Sequence, residues 1–367
     1  MIAQAWPVSR TLWPLLLSLL SFATFVLSEV SAETPRITVG MALPLSGEMS
    51  RYGLDIQRGA LMAKEELAKK GTEVVLISED TQLIPRMAAT AAQKLINSDH
   101  VDVVVSLWDT AEAVAPIAEQ RRTPHVSIRW NHRVAEEFPH TFTFESSYVT
   151  WVRATLDFLR SKGVRRLALM TDESGAGWVF GREYLLQVVA DYGIELTTDQ
   201  RFMGSTGDLN LTISKLLARP SDYILMLHFG APLVETMRRL SERKIATPVI
   251  GYFDGMEPPI NVEGRPFVAQ FDTQPWFVER FAARFPRERP VRAAFGYDLI
   301  SILGEIVEKI KRTPTKAEIL SHLNGVRDYP GATGLISSNQ SRAIETTCIL
   351  KEFRNGVAVK IGEANSR

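Results

Sequence analysis

The side chains with chemistry to offer in this sequence gather in turns. Tyr52, Trp108, Arg129, Trp130, Trp178, Phe180, Phe229, Tyr252 and Phe253 each fall at or just past the end of a short apolar run. Taken singly, an aromatic residue is more often packing than contact. Taken together at one edge of a fold, they describe an apolar, ring-lined cavity with a few polar groups, which suits capture of a small molecule. Arg129 and Asp254 are the charged candidates. A buried charge needs a partner, and a ligand carboxylate or ammonium would serve.

Covalent chemistry has little support. The chain holds no G-x-S-x-G, no H-E-x-x-H and no close pair of cysteines, since Cys348 is alone. His125, His132 and His140 cluster in sequence, but their spacing fits neither one helix face nor a metal-ligand pattern, so they read as core or surface histidines and no metal is expected. Gly175, Gly177 and Gly181 form a G-x-G-x-x-x-G between an expected strand and helix, where a dinucleotide phosphate could rest. The pattern departs from the G-x-G-x-x-G fingerprint and does not open the chain, so a tight turn or a loop near a ligand is the better reading. No enzyme and no cofactor are expected.

The elements that must position these turns follow one plan. Residues 37–43 are nearly all apolar, as suits a strand covered on both faces, and Ile56, Ala60, Ala63 and Leu67 then recur at helical spacing. Strands are expected at 73–79, 101–106 and 125–128, with helices between. After the extended stretch 141–147 the alternation restarts at 166–170. There the glycines at 175–181 read as a turn and 182–192 as a helix, and the pattern runs on to 249–252. Such alternation is the signature of right-handed βαβ units, and a restart implies two α/β sheets. Ligands sit beyond the carboxyl ends of strands in such sheets, where the rings fall. Residues 276–285, 293–311 and 316–323 are helical but do not extend the second sheet simply, and Asn355-Gly356 marks a closing hairpin.

Composition bounds the rest. Arg10, an apolar stretch over 12–27 and Val30-Ser31-Ala32 make residues 1–32 a secretory signal cleaved after Ala32; Pro14 interrupts the run and no Cys follows it, so neither a membrane anchor nor a lipoprotein is expected. About 335 residues remain, enough for two domains. The 42 basic and 42 acidic residues balance, which gives no case for nucleic acid or an anionic membrane.

In order, ITVGMALPLSG with RYG ahead of a helix, the turn after the fourth strand, FG after a turn, GYFDG, AAFGYDLISIL and PGATGLISSNQSR before a terminal hairpin are similar to the leucine/isoleucine/valine-binding class of type I periplasmic solute-binding proteins, the receptors of ABC importers. The resemblance implies a two-lobed α/β fold, each lobe a mainly parallel sheet flanked by helices, with three hinge crossovers near 144–147, 268–273 and 328–334. One lobe would hold 33–145 and 272–330, the other 146–271 and 331–367. The partners implied are a small-molecule ligand and an ABC permease in the inner membrane, with no nucleic acid and no insertion of the mature chain into the membrane. A ligand-sensing subunit of the same fold is the alternative.

Carried over by position, the resemblance gives ligand contacts at Tyr52 in the first loop, at Trp108, Asp109 and Thr110 after the third strand, and at Arg129, Trp130 and Asn131 after the fourth. In the second lobe it gives Trp178, Phe180, Phe229 and Asp254, the last near the acid that holds an α-ammonium. Trp108 stands where the family offers a hydroxyl, and Phe180 and Phe229 lack one. The expectation is therefore an aromatic or otherwise apolar carboxylate, ion-paired to Arg129.

Overall fold

The computed structural model describes residues 35–204, 209–253, 262–288, 290 and 292–364. The expected signal segment and Asp254 lie outside the described residues. β1 (Arg36–Leu43) pairs in parallel with β2 (Glu73–Asp80) and β3 (Val103–Leu107), and β4 (His125–Ile128) and β5 (Thr141–Phe144) continue the sheet. The apolar run of β1 splits by alternation. Ile37, Val39, Met41 and Leu43 join the core under helices α1 (Ser50–Lys69) and α10 (Ala293–Ile310), while Ala42 faces α2 (Pro85–Asn97). Helix α10 (Ala293–Ile310) is one of the late helices foreign to the second sheet, and it lies on α1. Two glycines let their backbones touch: a Cβ on Gly59 would sit 1.8 Å from the Ala293 carbonyl oxygen, and one on Gly296 would sit 2.0 Å from that of Ile56. The contact drives Phe295 and Leu299 into the core, each worth about 1.5–3 kcal/mol when fully buried.

In the second lobe α5 (Tyr148–Ser161) leads into β6 (Arg166–Asp172), and α6 (Ala176–Val188), β7 (Glu195–Phe202), α7 (Leu209–Leu216), β8 (Tyr223–Leu227), α8 (Ala231–Glu242) and β9 (Val249–Gly251) follow. Their strands form a parallel sheet in the order β7-β6-β8-β9. Helix α6 begins at Ala176, so the glycine-rich stretch expected as a turn is largely its first two turns. Tertiary packing there overrides the low helix propensity of glycine. β10 (Pro266–Ala269) pairs with β14 (Ile349–Arg354), which turns back into β15 (Val357–Glu363) through Asn355 and Gly356, both at positive φ (+52° and +72°) as the hairpin signal requires.

The third crossover differs from expectation. β11 (Tyr329–Gly331), β12 (Gly334–Ser338) and β13 (Ala343–Thr346) extend the first sheet, in the order β11-β12-β13-β5-β4-β3-β1-β2, and the chain leaves only after Thr346. Buried Asp298 on α10 supplies a reason. Its carboxylate accepts from the N–H groups of Ala332 (2.6 Å) and Thr333 (2.8 Å) and from the Thr333 hydroxyl (2.7 Å), which holds the 331–334 loop to the first lobe. The three crossing segments are stitched together: Gln270 Nε2 donates to the Ser146 carbonyl (2.9 Å), and the Ser146 and Thr346 hydroxyls both donate to the Gln270 carbonyl (2.7 and 2.6 Å).

Candidate functional site

The strand ends of both lobes bring their rings together. Tyr52, in the first turn of α1, lies 5.0 Å from Trp108 and 6.3 Å from Phe229 of the opposite lobe, measured between ring centroids. Phe229 is 5.9 Å from Tyr252, Tyr252 is 5.5 Å from Trp178, and Trp178 is 4.6 Å from Trp130. These edge and tilted arrangements suit aromatic quadrupoles. Trp108 holds a left-handed backbone, φ +49°, which is rare for a bulky side chain and concentrates at binding sites.

At the base of this chain of rings lies a buried polar bridge. Arg292, the residue before α10, is 6% exposed; its Nη1 donates to Glu145 Oε1 (2.6 Å) and its Nη2 to the Tyr252 hydroxyl (2.8 Å). Its guanidinium also lies 5.7 Å from the Trp108 ring and 5.3 Å from Phe295. Asp55 anchors the segment from below, accepting from the backbone N–H groups of Arg292 and, at 2.9 Å, Ala293. Glu145 belongs to the first crossover and Tyr252 to the second lobe, so one cation joins the lobes and the hinge. The two ends of this planar guanidinium are thus shared between a carboxylate of the first crossover and a hydroxyl of the second lobe.

Arg129 is placed differently. It is 1% exposed, but its Nη1 donates to Glu112 (2.8 Å) and its Nη2 to Asp109 (3.4 Å), both from the turn and helix α3 (Ala111–Gln120) of its own lobe. A buried guanidinium requires counter-charge, and for Arg129 the adjacent turn and helix supply it. Asp109 is thereby engaged. Thr110 donates its hydroxyl to the Leu107 carbonyl (2.7 Å), and Asn131 accepts from the Arg133 N–H (3.2 Å), so both serve their own turns. Phe180 lies apart from the ring chain, under the Arg133 guanidinium (4.6 Å) and 6.4 Å from Tyr148. Phe253 packs in the second core against Phe267.

Of the residues expected at the site, the structure therefore gathers Tyr52, Trp108, Trp130, Trp178 and Phe229. It joins to them Tyr252, one of the strand-end rings, and adds Arg292 and Glu145. Signals for these existed: an acid within the extended TFTFESS, an arginine directly ahead of AAFGYDLISIL, and a ring at a strand end. The three histidines scatter. His125 is buried between the Ser106 (2.8 Å) and Thr141 (3.1 Å) hydroxyls, His132 stacks on Tyr148, and His140 meets Glu119. Burial pushes His125 down to about 3, with the Arg129 charge adding to the effect. Among the described residues no group of three or more His, Cys, Asp or Glu is disposed to hold a metal, and no helix is long and apolar enough to cross a membrane.

Comparison with known proteins fits this geometry. The family described as periplasmic binding protein matches residues 36–350. A 108-residue stretch is 33% identical to Leu/Ile/Val-binding protein homolog 3 of Brucella melitensis; it spans 28% of this chain and 28% of that protein. Among solved structures, the leucine binding protein of Thermotoga maritima superposes with a TM-score of 0.77 at 21% identity, over 89% of this chain and 98% of the other. The solute binding protein of an ABC transporter from Rhodopseudomonas palustris BisB5, in complex with 3,4-dihydroxybenzoic acid, gives 0.78 at 18% identity, over 89% and 97%. At these identities the likeness is one of fold, the two-lobed type I periplasmic binding protein fold.

Proposed function

The chain belongs to the periplasmic binding protein family, and on that footing we propose that it is an exported receptor that captures a small organic carboxylate between its lobes and presents it to an ABC permease. The observation that carries this reading is the cross-lobe chain of rings closing over Arg292, Glu145 and Tyr252. The receptor acts without covalent chemistry. A ligand that touches both lobes favours the closed form by its differential affinity, and that form is what a membrane partner distinguishes.

The walls favour a ligand with a ring or a branched apolar body, while Arg292 takes its carboxylate. Glu145 already offsets the arginine, so a simple acid adds an uncompensated negative charge unless the pair loosens, whereas an amino acid-like ligand brings its own ammonium to Glu145. The proposed class therefore spans aromatic carboxylates and apolar amino acids.

A thermal-shift and calorimetry panel of benzoate, 3,4-dihydroxybenzoate, phenylalanine and leucine tests the reading. A ligand that binds only the folded state at a hundred times its Kd adds about 2.7 kcal/mol, which a melt resolves. At least one member of the panel is expected to bind, and Arg292→Ala is expected to abolish that binding. Binding unaffected by Arg292→Ala would remove the arginine from the site. A chain that binds none of the four, nor related acids, would overturn the ligand class.

A further inference from the structure

The glycine pattern that resembled a dinucleotide loop has another use. Gly177 lies in the first turn of α6, and a Cβ built on it would sit 2.2 Å from the indole Nε1 of Trp130 and 2.9 Å from its Cε2. An indole is rigid, so its edge cannot bend away as a flexible chain end would. Trp130 stands after β4 in the first lobe's sheet, whereas Gly177 stands between β6 and β7 of the second. The Trp130 ring is 4.6 Å from Trp178, 6.0 Å from Trp151 and 6.1 Å from Tyr252, and it packs on the core of the second lobe. Its carbonyl accepts from the Tyr148 N–H (3.1 Å), just beyond the first crossover. A first-lobe indole thus enters a second-lobe socket.

Glycine in a helix gains nothing locally, because alanine at such a position is the better helix former. Close approach of another group is the remaining reason for it. Gly175 follows the same rule at the helix cap, where a Cβ would meet the Trp178 ring at 2.7 Å, so Trp178 is seated to form one wall of the socket.

We infer that Trp130 and Gly177 are a key and socket that set the closed position of the two lobes, independently of the ligand. The inference uses the receptor reading only in taking the lobes to move. It assigns the contact a positioning role beside the place of Trp130 and Trp178 in the ring-lined wall: the contact acts on affinity through the free energy of closure, which a ligand-free measurement reads.

The test measures the distance between spin labels at Gln120→Cys on α3 and Glu242→Cys on α8, in a Cys348→Ala background of the full chain, without ligand. Gly177→Ala is expected to shift the open-to-closed ratio at least tenfold toward open while keeping a cooperative melt. Trp130→Ala should also open the lobes, and adding Gly177→Ala to it should change nothing further, because the obstructing ring is gone. An unchanged distance in Gly177→Ala, or an equal effect of that substitution with and without Trp130, overturns the inference. Should Gly177→Ala fail to fold, Trp130→Ala alone decides, since closed lobes in that variant also overturn it. Adding benzoate or leucine to the labelled parent chain reads the receptor proposal separately, because the variants are compared without ligand.

Discussion

Arg129 and Arg292 are both almost wholly removed from water and both ion-paired, yet their surroundings assign them opposite tasks. The partners of Arg129 are the Asp109 and Glu112 carboxylates, 58% and 52% exposed and carried by the neighbouring turn and helix of the same lobe. The partners of Arg292 are Glu145, 2% exposed in the first crossover, and the hydroxyl of Tyr252 in the other lobe. An arginine satisfied within one lobe fixes that lobe's loops. One satisfied across the hinge responds to whether the lobes are together. Burial alone does not distinguish the two arginines; the origin of their partners does.

Glu145→Ala should give the largest effect. It removes the buried carboxylate from the Arg292–Glu145 pair, and breaking a buried pair by deleting one partner costs about 3–5 kcal/mol. Urea unfolding should show that loss, and a midpoint within experimental error of the parent would mean that solvent or another group reaches Arg292. Arg129→Ala should cost less, about 1.5–3 kcal/mol for lost charged hydrogen bonds, because the carboxylates it abandons are half in water. Ligand affinity in Arg129→Ala should stay within a few-fold of the parent. If that variant loses binding while Arg292→Ala keeps it, the two arginines have been assigned in reverse.

The third effect concerns acid. Burial holds His125, beside Arg129, down at about 3 and His228, at the end of β8, down at about 4, against an ordinary 6.5. A depressed histidine stabilises fully above 6.5 and loses that contribution as the pH falls toward its folded value, because the unfolded chain takes up the proton first. Between pH 6.5 and 5 each histidine should remove about 2 kcal/mol, at 1.36 kcal/mol per pH unit. Urea midpoints at pH 7 and 5 check this, and His125→Asn should flatten part of the slope. A stability independent of pH over that interval would show that the imidazoles reach water or a partner when charged.

Much of this architecture was legible from local pattern. The apolar run of β1 read correctly because a strand covered on both faces needs no alternation, and the Asn355-Gly356 hairpin read correctly because few residue pairs tolerate two positive φ angles. The rings at Tyr52, Trp108, Trp130, Trp178 and Phe229 were expected near strand ends by a rule that needs no partner information, and they lie along one chain of ring contacts with Tyr252. The third crossover was expected too early because the hold of Asp298 on the 331–334 loop joins residues far apart in sequence.

Sequence by itself determined the α/β plan, the two sheets with parallel cores and the family resemblance, since each rests on periodicity or on residue types that act over a few positions. Tertiary structure alone decided which arginine faces both lobes, why Gly177 is a glycine and which segments stay with the first sheet. Those depend on which loops meet across the hinge. A charge or a ring takes its role from neighbours that folding brings within a few ångströms, and no local pattern records them.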